Sequence, residues 1–160
     1  MKTRLVIFEG TDGSGKSTQF QLYRYATEFQ PLILDRFTGS NIIFDKIFDR
    51  KDSSLRLFKV EDELNKIFDV YVIYLWADDE ILLKRVLAQK QINSPEKINE
   101  IKELNKQMKW AYQWYLSKTP FKQQIQIDTS DISPIEITRM VLDFTKEKER
   151  NDEWTRFYKS

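Results

Sequence analysis

At 160 residues, 41% of them hydrophobic and 32% charged, the chain has the size and make-up of a single soluble globular domain with room for a real core. Its 26 basic and 25 acidic residues leave a formal charge of +1, so no global field draws it to nucleic acid or to an anionic membrane. The absence of cysteine and histidine excludes disulfides, thiol nucleophiles, Cys/His zinc sites and imidazole acid–base chemistry, leaving carboxylates, lysine, arginine and bound metal.

The chain opens with the apolar run Leu5, Val6, Ile7, Phe8, read as a strand, and passes directly into GTDGSGKST over residues 10–18. This is the pattern of a phosphate-binding loop. A nucleotide's β-phosphate is anionic on several sides, so the loop must aim backbone N–H groups inward while its side chains stay clear. Gly10, Gly13 and Gly15 permit that, and they are three of only four glycines in the chain. Asp12 and Ser14 lie between them. Lys16 brings an ammonium to the β- and γ-phosphates, Ser17 offers a hydroxyl to Mg²⁺, and the helix that carries Thr18 adds its positive N-terminal end.

That helix is expected to continue to residue 29 with Phe20, Leu22, Tyr23 and Ala26, and to end before Pro31. Leu32, Ile33 and Leu34 read as a second strand, buried on both faces and closed by Asp35 and Arg36. Ligands of open α/β sheets bind at the C-terminal ends of strands, so Asp35 is expected beside the phosphate loop, where it can hold Mg²⁺ or its waters. Residues 37–39 read as a turn. Helical spacing follows over residues 41–48, with Ile42, Ile43, Phe44 and Ile47. It returns over residues 55–68, with Leu55, Leu57, Phe58, Val60, Leu64, Ile67 and Phe68 as core.

Residues 70–75 form a third predicted strand, and Asp78 is expected to cap a helix ending near Gln89. Residues 88–97 are polar and join two helices, and they are expected to act as a short mobile lid. Pro95 opens a long helix to about Leu116, with Ile101, Leu104, Met108, Ala111 and Tyr115 as its core stripe and Trp110 and Trp114 on a neighbouring face. A fourth strand, Ile125 to Asp128, precedes a capping box at Ser133 and Glu136 that starts the last core helix.

Four strands alternating with helices predict a three-layer α/β fold with a parallel sheet, occupying residues 1–150 as one domain. Residues 151–160 are charged but carry Trp154, Phe157 and Tyr158. This tail is expected to extend the last helix, to fray, or to dock on its own domain or on a second copy in a homodimer. No apolar run approaches a membrane span, and the N-terminus does not read as a signal peptide, so a cytoplasmic location is expected.

FEGTDGSGKSTQ, residues 8–19, resembles the phosphate loop of thymidylate kinases. LDRFTGS at 34–40 resembles their DR(Y/F)xxS motif, YLWADDEILLKR at 74–85 their strand and helix before the lid, and IDTSDISPIEI at 127–137 their last strand and adenine loop. The resemblance implies a P-loop kinase in which Lys16 and Ser17 serve ATP and Mg²⁺. It further implies that Asp12 approaches the acceptor's sugar hydroxyl and Asp35 organises metal and acceptor. Arg36 would clamp the acceptor phosphate with a planar fork of donors, Arg85 would make a second phosphate contact, and Thr129 and Ser130 would lie near the adenine.

The chain also departs from that family. Only 18 residues separate Lys16 from Asp35, an interval in which thymidylate kinases place a further strand and base-recognising helices. Asp45 stands where their motif continues to a glutamine, and residues 88–97 hold Lys90 and Lys97 but no arginine. Three functions follow: ATP-dependent phosphorylation of a nucleoside monophosphate, phosphorylation of a hydroxyl on a nucleoside or on DNA or RNA, and nucleotide binding without turnover.

Overall fold

The computed structural model describes residues 1–158. Four parallel strands, β1 (Thr3–Gly10), β2 (Leu32–Asp35), β3 (Phe68–Trp76) and β4 (Gln123–Asp128), form a sheet in the order β2-β1-β3-β4. Six helices cover it: α1 (Lys16–Ala26), α2 (Thr38–Ile47), α3 (Ser54–Ile67), α4 (Asp79–Lys90), α5 (Pro95–Lys118) and α6 (Pro134–Thr145).

Strict alternation along the two central strands feeds two separate cores. Leu5, Ile7, Val70 and Val72 face α2 and α5, where Ile42, Ile43, Met108, Ala111 and Tyr115 complete one cluster. Val6, Phe8, Ile73 and Leu75 face the other way, onto Leu22, Tyr23 and Ala26 of α1 and Val141 and Leu142 of α6. Covering both faces accounts for the nearly unbroken apolar runs of β1 and β3. The result is the three-layer P-loop NTPase-type fold predicted from the alternating elements.

The chain runs from β1 to its neighbour β2 on one side, then crosses back to β3 on the other. The crevice at the C-terminal ends of β1 and β3 is therefore the switch point where open α/β sheets take ligands, and the phosphate loop leaves β1 there. Register pairs Phe8 with Asp35 and Gly10 with Leu75, which brings the ends of β2 and β3 level with the loop.

Several expectations are corrected. Strand β2 is not buried on both faces: it is the sheet edge, and Leu32 is 48% exposed, because nothing in the 18-residue interval after Lys16 forms a strand to cover it. Residues 37–39 are not a turn: Phe37 is the N-cap of α2, and Thr38 and Gly39 are its first residues. Leu55, Val60 and Ile67 face solvent on α3, which buries Ser54 and Glu61. Asp78 occupies the N-cap of α4 without a side-chain capping bond, whereas the capping box of Ser133 and Glu136 is fully formed.

As far as residue 158 the tail does not extend α6 but packs on the domain. Lys146 adopts a left-handed conformation that stops the helix, and residues 154–158 form a 3₁₀ turn against α1 and α6. Trp154 is fully buried and its indole N–H donates to Glu149 at 2.5 Å, while Phe157 stacks on Tyr25 with ring centroids 4.2 Å apart. The last two residues of the predicted tail lie outside the described residues. Among the described residues no helix is long and apolar enough to cross a membrane.

Candidate nucleotide site

The phosphate loop connects the end of β1 to α1 through residues whose backbone only glycine adopts freely. Gly13 and Gly15 have φ of 80° and 90°, and Gly15 sits at the N-cap of α1. That cap carries no side-chain hydrogen bond, so the first N–H groups of α1 are left for an anion. Buried within the loop, the hydroxyls of Thr11 and Ser14 also have no hydrogen-bond partner.

Two clefts open on opposite sides of the loop. The larger, about 320 Å³, is lined by Asp12, Gly13, Gly15, Lys16, Ser17 and Thr18 of the loop, and by Arg85, Thr129, Ile132 and Pro134 beyond it. The smaller, about 110 Å³, is bounded by Asp12, Arg36, Phe44 and Lys90, with Ile101, Leu104, Asn105 and Met108 of α5 behind. Asp12 borders both.

The Lys16 ammonium lies within the larger cleft and pairs with Asp35 at the end of β2, which places the expected cation and the expected metal carboxylate at one point. Ser17 is exposed one residue on. This donor set fits Mg²⁺, which is ordinarily held by one or two carboxylate or hydroxyl oxygens and completed by water and nucleotide phosphate. Among the described residues no group of three or more carboxylate, histidine or cysteine side chains could hold a metal by itself.

Arg36 has φ of 65°, in the left-handed region that a branched or long side chain seldom occupies. Its N–H still donates to Phe8 at 2.9 Å, extending the β1–β2 pairing by one residue. The reversal after it turns the guanidinium back across the end of β1, where Nη2 donates at 3.3 Å to both the Gly10 carbonyl and Asp12, over the Phe44 ring. Lys90 donates to the other Asp12 oxygen at 3.0 Å. Partial burial pushes the Asp12 carboxyl up, but the hydrogen bond and charge of Lys90, with Arg36 and Lys16, outweigh it and hold the group below its usual value.

Arg85 bridges the loop to the end of β4. Its Nη1 donates to the Gly13 carbonyl and to the Thr129 hydroxyl, each at 3.0 Å, and its Nη2 donates to the Thr129 carbonyl at 2.8 Å. The Thr129 hydroxyl in turn donates to the Ser14 carbonyl at 2.8 Å. Both residues line the larger cleft, yet their polar atoms are committed to holding the loop. The Ser130 hydroxyl turns away, donating to Asp128 at 2.6 Å. Residues 88–97 comprise the end of α4, a connection over residues 91–94 and the first turn of α5.

Two carboxylates absent from the expected site organise its smaller side. Glu9, fully buried at the end of β1, accepts from the Phe37 N–H at 3.0 Å, from Ser40 at 2.6 Å and from Tyr112 at 2.9 Å. Glu61 of α3 accepts from Thr38 at 2.5 Å, from Tyr115 at 2.7 Å and from Thr119. Burial drives both carboxyls above their usual range against the opposing pull of these donors. Together they fix the start of α2, directly behind Arg36. Gly39 is required there, since a Cβ would come within 2.7 Å of the Tyr115 ring. The sequence did carry signals: Glu9 is a charge directly after the apolar run of residues 5–8, and Asn105 shares a helix face with Ile101 and Met108.

No protein-family model and no curated protein matches the chain. Among solved structures, it is similar to the YorR protein of Bacillus subtilis in complex with phosphorylated GDP, with a TM-score of 0.65 and 22% identity over 89% of this chain and 95% of that one. It is also similar to an uncharacterized protein of Eubacterium ventriosum, with a TM-score of 0.52 and 13% identity over 91% of this chain and 99% of the other. At such identities the likeness establishes a shared fold.

Proposed function

We propose that the protein transfers the γ-phosphoryl group of ATP to the phosphate of a nucleoside monophosphate, as thymidylate kinases do. The observation that carries this reading is the pair of clefts that meet at Thr11 and Asp12 of one phosphate loop, with Lys16 lining the larger and Arg36 and Lys90 the smaller. YorR, one of the structural neighbours, is in complex with phosphorylated GDP, which supports a nucleotide in this fold.

ATP occupies the larger cleft with its β-phosphate on the loop and its adenine toward Thr129 and Ile132. Ser17 and Asp35 would hold Mg²⁺, which when bound would neutralise the charge of the transferring phosphates. Lys16 leaves its pairing with Asp35 to meet the phosphates. The monophosphate lies in the smaller cleft, its phosphate held by Arg36 and its sugar hydroxyl approached by Asp12. An oxygen of that phosphate forms the new bond to the γ-phosphorus as the bond to the β–γ bridging oxygen breaks and ADP departs. The attacking oxygen is already ionised near neutral pH, so no general base is needed. Lys90 supplies positive charge where the lid has no arginine, and Arg85 positions the loop through Gly13 and Thr129.

A panel of monophosphates, nucleosides and oligonucleotides incubated with γ-labelled ATP and Mg²⁺ tests the reading. Label on a monophosphate, giving a diphosphate, is the expected result. Label only on nucleosides or oligonucleotide hydroxyls would replace it with a hydroxyl kinase, and label on none would leave a binding module.

A further inference from the structure

The lining of the larger cleft is of two kinds. Lys16, Ser17 and the start of α1 form a polar, cationic part, whereas Ile132, Pro134 and Ile137 are apolar and are joined by Tyr158 of the C-terminal 3₁₀ turn. Gln19, one turn along α1 from the loop, ties the two parts together: its amide N–H donates to the Pro134 carbonyl at 2.9 Å and its oxygen accepts from Thr138 at 2.8 Å. Phosphates are drawn to the loop and Lys16, which leaves the apolar part for the uncharged end of a nucleotide.

The turn that carries Tyr158 is anchored on the domain. The Arg150 N–H donates to the Ala26 carbonyl at the end of α1 at 2.7 Å, Trp154 has no exposed surface, and Phe157 stacks on Tyr25 of α1. Tyr158 follows directly, 47% exposed, and it is the only aromatic side chain among the described residues that line the cleft. A half-exposed ring set in a cleft with three apolar side chains offers a surface to a flat, weakly hydrated ligand.

We infer that Tyr158 packs against the base of the phosphoryl donor, so that the C-terminal turn completes the donor site. This rests on the monophosphate-kinase reading above, which puts ATP in the larger cleft. Every nucleotide base has a π-face that gains by stacking on an aromatic ring, and such a contact needs no hydrogen-bond partner on the base. The segments that resemble thymidylate kinases end at Ile137, so this contact belongs to the chain's own tail.

The test is equilibrium binding, by calorimetry with Mg²⁺ present, of a nonhydrolysable ATP analogue and of inorganic tripolyphosphate, which has no base. Both are measured on the wild type, Tyr158→Phe, Tyr158→Leu and Tyr158→Ala, with a thermal melt of each. Tyr158→Phe keeps the ring and should bind the analogue within about 2-fold of wild type, whereas Tyr158→Leu and Tyr158→Ala should bind it roughly 5- to 100-fold more weakly. Tripolyphosphate affinity should be the same in all four proteins. Should Tyr158→Ala melt early, Tyr158→Leu carries the comparison, since it keeps apolar bulk without a π-face. Wild-type affinity for the analogue in Tyr158→Leu or Tyr158→Ala, or an equal loss for analogue and tripolyphosphate, overturns the inference while leaving the kinase reading intact. If the wild type binds neither compound, the kinase reading itself fails and the inference falls with it.

Discussion

The larger cleft takes one wall from a single short stretch of chain, between Thr11 and Gln19, whereas the smaller cleft draws Arg36 from the end of β2, Phe44 from α2, Lys90 from α4 and Asn105 from α5. One side is held by local backbone geometry, with Gly13 and Gly15 at positive φ and α1 beginning at Lys16. The other is held by contacts between residues far apart in the chain, above all by Glu9 and Glu61 gathering Ser40, Thr38, Tyr112 and Tyr115. Damage to the first side should therefore be local and chemical. Damage to the second should reach stability as well as acceptor binding.

The largest expected effect lies on the donor side. Lys16→Ala should lower turnover by at least about 100-fold, since a preorganised charge in a shielded site is lost, while the thermal midpoint changes little. Steady-state kinetics and a thermal melt check both; wild-type turnover in the variant would remove Lys16 from the mechanism.

On the smaller side, Gly39→Ala should destabilise the protein by about 1–3 kcal/mol, because the added methyl meets the buried Tyr115 ring. It should also raise the acceptor KM as the start of α2 shifts away from Glu9. Urea unfolding and acceptor kinetics measured on the same preparation would separate the two losses. A fully stable variant with an unchanged KM would mean that α2 has room to spare.

Glu9→Gln sharpens the contrast through pH. Burial raises the Glu9 carboxyl in the folded state, so the folded protein retains a proton that the unfolded chain releases. Wild-type stability from this group therefore falls as pH rises from the ordinary glutamate value of about 4.3 toward the raised folded value. Glutamine does not titrate, so the variant should gain on the wild type across that window. Urea unfolding at pH 4 and at pH 7 measures the difference, and a stability gap that stays constant with pH would contradict the assignment.

The smallest effect concerns residues 88–97. Because the connection proper is only residues 91–94, closure over ATP would tighten the flanking helix ends and the Lys90–Asp12 contact. Amide exchange there should slow several-fold with a nonhydrolysable ATP analogue. Equal exchange with and without it would argue against a lid.

The difference between the two clefts also decides what could be read from the chain. Spacing of Gly10, Gly13, Gly15 and Lys16 announces the loop because its function is written in consecutive residues, and alternation along β1 and β3 announces a sheet covered on both faces. The edge position of β2 was not legible, since a short apolar run looks the same whether or not a neighbour covers it. Nor was the start of α2 at Thr38. It depends on Glu9 receiving the Phe37 N–H and Glu61 receiving the Thr38 hydroxyl, contacts that span 28 and 23 residues. Arg85 and Thr129 line the larger cleft, but the bonds that commit them to Gly13 and Ser14 emerge only from the folded geometry.

Arg36→Lys tests the central claim, that donor and acceptor are held by separately built walls on either side of the loop. Lysine keeps the charge but loses the planar fork. The account predicts an acceptor KM raised by about 10-fold or more with a lower kcat, while ATP affinity measured by equilibrium binding stays within about 2-fold of wild type. Unchanged acceptor kinetics, or an equal loss of ATP affinity, would contradict it.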